Sequence, residues 1–291
     1  MKKNRRQRGI WCTVVLLGLA IELLFAGPAL SLPEIKSSVL DNGLKVMVVE
    51  NHDLPAVLYT IMFKSGTLED PQGKEGVTEL VAKLIQRGSK KYTAEELARR
   101  VDFLGARFGI EVSREYIGIG LMVLAKDRLE GLDILSDVVL NPTFPDSELA
   151  LARNELLAEI KSVMDIPQAI VEDHLRNVIY YGHPLPLGAT KSLPSVGSTK
   201  REHVVDMYNW HFAPNNAVLV IIGDVQYDSI AQNVLERFKK WQRKDRIPRL
   251  RTLNVGNGTP PRIRLIDKAG LTQSFIALGF PSIKRKHHHY F

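Results

Sequence analysis

The sequence predicts an α+β fold, with one mostly antiparallel sheet and helices packed on it across residues 34–242. Three observations predict it. Short apolar runs of strand length stand at residues 44–50 (LKVMVVE), 56–64 (AVLYTIMFK) and 218–225 (VLVIIGDV). Helical spacing recurs over longer stretches between them. Strands and helices come in runs with few strict β-α-β alternations, which argues against an all-parallel sheet.

The elements follow in order. Strand 44–50 comes after Asp41-Asn42-Gly43, a turn signal, and strand 56–64 comes next. Residues 75–87 and 93–104 are helical by spacing. Thr93 caps the second, with Glu96 three residues on to complete a capping box. Residues 106–113 and 115–124 read as two strands in close succession. Gly118 and Gly120 lie inside the second, so they do not form a phosphate loop. Lys126–Leu140 is a helix ended by Asn141-Pro142. Phe144–Met164 is a long helix with Pro145 in its first turn, and Asp146 and Glu148 suit its positive end. Residues 167–180 form another helix, broken by Gly182-His183-Pro184. Residues 199–212 are helical and stop before Pro214, and 227–241 make the last helix.

Residues 243–261 read as a linker, basic at first and then rich in Gly, Asn and Pro. Residues 262–291 look like an incomplete start of a second unit. Its IRLID and QSFIALGF segments are predicted strands.

The N-terminus is of a different kind. Residues 1–8 are basic and residues 10–26 almost wholly apolar, and small residues follow at Ala29 and Ser31. That is the pattern of a signal peptide over residues 1–31, cleaved after Ala29 or Ser31. The alternative is an uncleaved anchor, although the run is short for a span of about 20 residues and Glu22 interrupts it. The expected location is periplasmic or extracellular, with membrane anchoring by 10–26 if the leader stays. The chain of 291 residues has a formal charge of +7. The leader holds Lys2, Lys3, Arg5, Arg6 and Arg8 against Glu22, so the remainder carries 7 − 4 = +3. The high basicity is partly a targeting feature and does not argue for nucleic acid. The single cysteine, Cys12, lies in the leader, so the mature chain is expected to lack disulfides and thiol chemistry.

Several stretches, in this order, resemble one family. DNGLKVMVVE resembles the opening strand of the insulinase/pitrilysin/mitochondrial-processing-peptidase zinc peptidases. FKSGTLEDPQGKEGVTELVAKLIQRGS resembles their strand and metal-binding helix, and ARNELLAEIKSVMDIP the helix with the third ligand. LTQSFIALGFPSIKR resembles the start of their second, homologous domain. The resemblance implies a peptidase N-terminal domain followed by the beginning of that second domain. Active members carry H-x-x-E-H on the first helix: two histidines bind zinc and the glutamate serves as general base. On this sequence the motif falls on Glu79-Leu80-Val81-Ala82-Lys83. The ligand positions hold Glu79 and Lys83, and the base position holds Ala82. The third ligand position falls on Glu159, with Glu155 one turn earlier if the alignment shifts.

The chemistry implied is that of a fold kept and a metal lost. Lysine is cationic near neutral pH and offers a metal no lone pair, and Ala82 accepts no proton. No catalytic residue and no cofactor is expected, where active relatives use zinc. Two readings of the charges stand open. Lys83 fills the place of the ion and pairs with Glu79 and Glu159, which satisfies carboxylates that burial would penalise. Alternatively Glu79 and Lys83 reach solvent as a helix pair worth ~0.3–0.5 kcal/mol.

The resemblance implies a non-catalytic peptidase homologue that shapes a chamber for unfolded peptide with a zinc-bearing partner chain of the same family. The alternatives are an active zinc endopeptidase with unconventional ligands, and a stand-alone scaffold. The other histidines do not assemble a site in the sequence. His203 and His211 lie two turns apart on one helix and read as packing or solvent-facing. His52 is in a turn and His183 in a loop. His287–His289 can chelate metals as a run, and read as sequence drift, an edge effect or a tag.

Overall fold

The computed structural model describes residues 33–180, 189–245, 247, 262–280, 282–283 and 287–290. The chain divides into two compact units at Glu34/Ile35, and the architecture below is that of the second. The predicted leader lies outside the described residues, and so does His183.

Six strands form one sheet: β1 (Ile35–Val39), β2 (Lys45–Glu50), β3 (Ala56–Phe63), β4 (Arg107–Val112), β5 (Ile117–Leu124) and β6 (Ala217–Gly223). Their order is β1-β2-β6-β3-β5-β4. Every neighbouring pair is antiparallel except β2 and β6, which run parallel. A parallel pair needs a long crossover, and here it is most of the domain. Alternation along β3 shows why the sheet has one core face. Val57, Tyr59, Ile61 and Phe63 are buried, while Leu58 and Met62 lie on the opposite, open face.

The helices are α1 (Val77–Ile85), α2 (Ala94–Phe103), α3 (Arg128–Leu140), α4 (Asp146–Met164), α5 (Pro167–Ile179), α6 (Ala189–Ser198), α7 (Arg201–His211) and α8 (Tyr227–Phe238). Leu80, Leu84 and Ile85 of α1, Leu132 and Leu135 of α3 and Val234 and Phe238 of α8 join the inward strand residues in one core. At about 25 cal/mol per Å² of apolar area, such burial is the main stabilising contribution. The capping box at Thr93 forms as predicted: Glu96 N donates to Thr93 Oγ1, and Thr93 N donates to Glu96 Oε2 at 2.9 Å.

The structure differs from the sequence reading in four places. Strand β1 was not expected from IKSSV, whose apolar content is slight; it forms because the turn at 41–43 lays it along β2. Helix α6 was not expected either, because Pro194 and Gly197 lie within it. Helix α4 starts at Asp146, with Pro145 before it in an extended conformation. The cause is the proline ring, which bars Phe144 from the right-handed helical region; Phe144 adopts φ 49°. Residues 263–267 and 273–280 are not strands. Strands require partners, and among the described residues these segments pair with none. Ile263, Leu265 and Ile276 are 98%, 94% and 93% exposed.

Candidate functional site

Helix α1 begins at a glycine for a steric reason. Gly76 has φ 92°, and a Cβ there would run into the side chain of Val196 on α6. Glycine supplies no capping side chain, so Asp70 acts in its place. Its carboxylate accepts from Gly76 N at 2.7 Å, Thr78 N at 3.1 Å and the Thr78 hydroxyl. Asp70 is only 4% exposed. Burial pushes its carboxyl up to about 7 despite these donors, and the neighbouring Glu79 adds to the rise. Helix α6 covers this corner, where Ser195 Oγ donates to Glu75 O at 2.7 Å.

One face of α1 enters the core, and the adjacent stripe meets α4 through charges. Lys83 Nζ lies 2.7 Å from Glu159 Oε1. One turn on, Arg87 lies 2.6 Å from Glu155 and 3.7 Å from Glu148. From Lys83 on α1 to Arg87 just past its C-terminal end the partners step back along α4 from Glu159 to Glu155 and Glu148, so the chain runs antiparallel to α4 and the pairs form a ladder. Lys83 and Arg87 are mostly buried along their stems, whereas Glu159 is 58% exposed.

Glu79 does not join the ladder. Among the described residues no cation lies within ion-pair distance of it. Burial pushes its carboxyl up and the charge of Glu159 adds to this; its own backbone N–H and Lys83 oppose it. Glu79 Oε2 turns instead toward Gly76, at the start of its helix. Of the three residues expected to cluster, the fold brings Lys83 and Glu159 into contact and leaves Glu79 apart. Ala82 is buried, a methyl group with no proton chemistry.

The order of strands and helices and the α1–α4 seam can be set against known families. The profile of "Insulinase (Peptidase family M16)" matches residues 45–191, half of the chain. The chain belongs to the insulinase family. A second profile of that family, "Peptidase M16 inactive domain", matches residues 198–291. Its first part covers α7, β6 and α8, and β6 is a central strand of the sheet described above.

Curated relatives include an uncharacterized zinc protease of Rickettsia felis, 25% identical over 84% of this chain and 58% of its own length. The uncharacterized zinc protease YmxG of Bacillus subtilis is 25% identical over 87% of this chain and 60% of its own. Cytochrome b-c1 complex subunit 1 of Mus musculus is 25% identical over 78% of this chain and 48% of its own. The chain thus spans about half to three fifths of these relatives. Among solved structures, a protease from Helicobacter pylori superposes with TM-score 0.70 at 18% identity, over 77% of this chain and 54% of that one. Pitrilysin gives 0.69 at 19%, over 78% and 25%. These show that the fold is shared.

Zinc in active insulinase-family members needs nitrogen and oxygen donors. The residues present here do not fit it. Lys83 donates to Glu159, the residue on which the resemblance places the third ligand, so that carboxylate already holds an ammonium. No group of three or more His, Cys, Asp or Glu arranged to hold a metal occurs among the described residues. The histidines lie elsewhere. His211 is buried, with its basicity lowered by burial to about 4. His203 Nδ1 accepts from Lys200 N, and His52 Nδ1 lies 2.7 Å from Asp224. At the surface His287 stacks on His288, and His289 tilts against His288.

Two residues of the site escaped the sequence reading. Arg87 carried a signal, since it stands four residues after Lys83 on the same face. Asp70 carried little, because a cap six residues before the helix is visible only once the loop has folded back.

Proposed function

We propose that this chain is a non-catalytic member of the insulinase family. It shapes a chamber for unfolded peptide together with a zinc-bearing partner chain of the same family. The observation that carries the reading is the Lys83–Glu159 bond, at the seam where the resemblance puts zinc. In this reading the ammonium stands for the ion: it neutralises the retained carboxylate and holds α1 to α4, so the wall keeps its shape without a metal. Ala82 leaves no base to activate water. The names of two relatives support a subunit role: cytochrome b-c1 complex subunit 1, and the mitochondrial-processing peptidase subunit beta of Bos taurus. Export, with residues 1–31 as leader, belongs to the same proposal and rests on their sequence pattern. Among the described residues no helix is long and apolar enough to cross a membrane.

The test is metal analysis and peptide hydrolysis, with the chain alone and co-expressed with an H-x-x-E-H-bearing chain of its family. The expected result is substoichiometric zinc, no hydrolysis by the chain alone, and co-purification of the pair. Stoichiometric zinc, with hydrolysis abolished by Glu159→Ala, would establish the active-peptidase reading instead. Failure to co-purify would leave a stand-alone scaffold.

A further inference from the structure

A turn brings His287, His288 and His289 together. Tyr290 N donates to His287 O at 3.0 Å, which closes a four-residue turn. His289 N donates to His287 Nδ1 at 3.2 Å, so that ring uses one nitrogen within the turn and keeps Nε2 for another partner. The ring centroids lie 4.4 Å apart for His287 and His288, 4.0 Å for His288 and His289, and 5.6 Å for His287 and His289. All three residues are exposed.

These separations bracket those of imidazoles that share an ion. With nitrogen–metal bonds of about 2.0–2.1 Å, two rings set at roughly 90–110° about one ion have centroids roughly 4.5–5.5 Å apart. As they stand the rings lie against one another, His287 and His288 within 21° of parallel, and do not converge on one point. Turning their nitrogens inward takes rotation about side-chain bonds, which packing does not oppose at an exposed turn.

The donors select the ion. Imidazole suits copper, nickel and zinc, and affinity among these is highest for copper(II). Lys284, Arg285 and Lys286 precede the turn in the sequence. A hard cation such as magnesium(II), which needs oxygen ligands, gains none from the histidines and meets like charge.

We propose that His287, His288 and His289 form a turn-organised surface site for a divalent transition-metal ion, with copper(II) bound most tightly. At least two of the imidazoles ligate the ion, and water fills the remaining positions. The site uses none of the residues of the α1–α4 seam and does not depend on the loss of zinc there.

The experiment is calorimetric titration of the full chain, free of any added histidine tag, with the chlorides of copper(II), nickel(II), zinc(II) and magnesium(II). Electron paramagnetic resonance of the copper-loaded protein reports the ligands. The expected result is one copper(II) per chain, held more tightly than nickel(II) or zinc(II), with nitrogen hyperfine splitting and no uptake of magnesium(II). Replacing all three histidines by alanine should weaken copper(II) binding by about ten-fold or more. Tyr290→Pro keeps the histidines but removes the N–H that closes the turn, and should bind several-fold more weakly. The proposal is overturned if the triple variant binds copper(II) as the wild type does, or if the spectrum shows no nitrogen ligands. It is also overturned if Tyr290→Pro binds as tightly as the wild type, which would leave a flexible run of histidines in place of an organised site. The zinc content that bears on the α1–α4 seam is then read in the triple variant, where the turn contributes none.

Discussion

Asp70 binds protons more tightly in the fold than its ordinary value of 3.8 allows, at about 7. Its stabilising contribution is fully present below pH ~4 and is lost as pH rises through ~7, on the order of 4 kcal/mol in all. Urea denaturation between pH 4 and 8 should show this decline in the wild type and a flatter profile in Asp70→Asn. An equal slope in both would remove Asp70 as the cause. Along the seam, the exposure of Glu159 limits what its pair with Lys83 contributes. A double-mutant cycle with Lys83→Ala and Glu159→Ala should give a coupling of about 0.2–1 kcal/mol. Arg87→Ala should cost more, about 1–2 kcal/mol, because it strands two carboxylates at a closer-packed position. A Lys83–Glu159 coupling above that range would mean that the pair is far less solvated than its geometry indicates. Residue identities at positions 79, 82, 83 and 159 were legible in the sequence, and so was a contact-capable charge on each of 79, 83 and 159. The separation of Glu79 from Lys83 was not. Spacing puts both on one helix face, but which way each side chain turns depends on α4 and on the glycine under α6.

At the scale of elements, α6 and α1 depend on each other at Gly76. Gly76→Ala imposes a left-handed conformation on a residue with a Cβ and drives that Cβ into Val196. The expected loss is about 1–3 kcal/mol by thermal or chemical denaturation. Adding Val196→Ala should recover less than half, since the backbone strain remains. Full recovery would mean that the contact alone matters. Local signals explain which elements could be read beforehand. Helix α2 carries its own capping box, and α3 ends where Asn141-Pro142 says it must. Helix α6 carries a proline and a glycine, and it is held by partners distant in sequence: Val196 is fully buried, and Ser195 reaches Glu75. Segments 263–267 and 273–280 are the opposite case. Their apolar composition matches a strand, yet a strand exists only with a neighbour to pair with.

For the molecule as a whole, the order of apolar runs, turns and caps was sufficient to determine the α+β class and the insulinase-family frame. These are properties of residue type and short spacing, which local propensity and burial read directly. The parallel β2–β6 pair, the Asp70 cap and the Lys83–Glu159 contact with Glu79 left aside were decided by the tertiary structure alone. So were the two hydrogen bonds by which Asn215 holds the backbone of Lys244. Each joins groups far apart in the chain, and such contacts are set by how helices and strands pack in three dimensions. Spacing along one element cannot determine them.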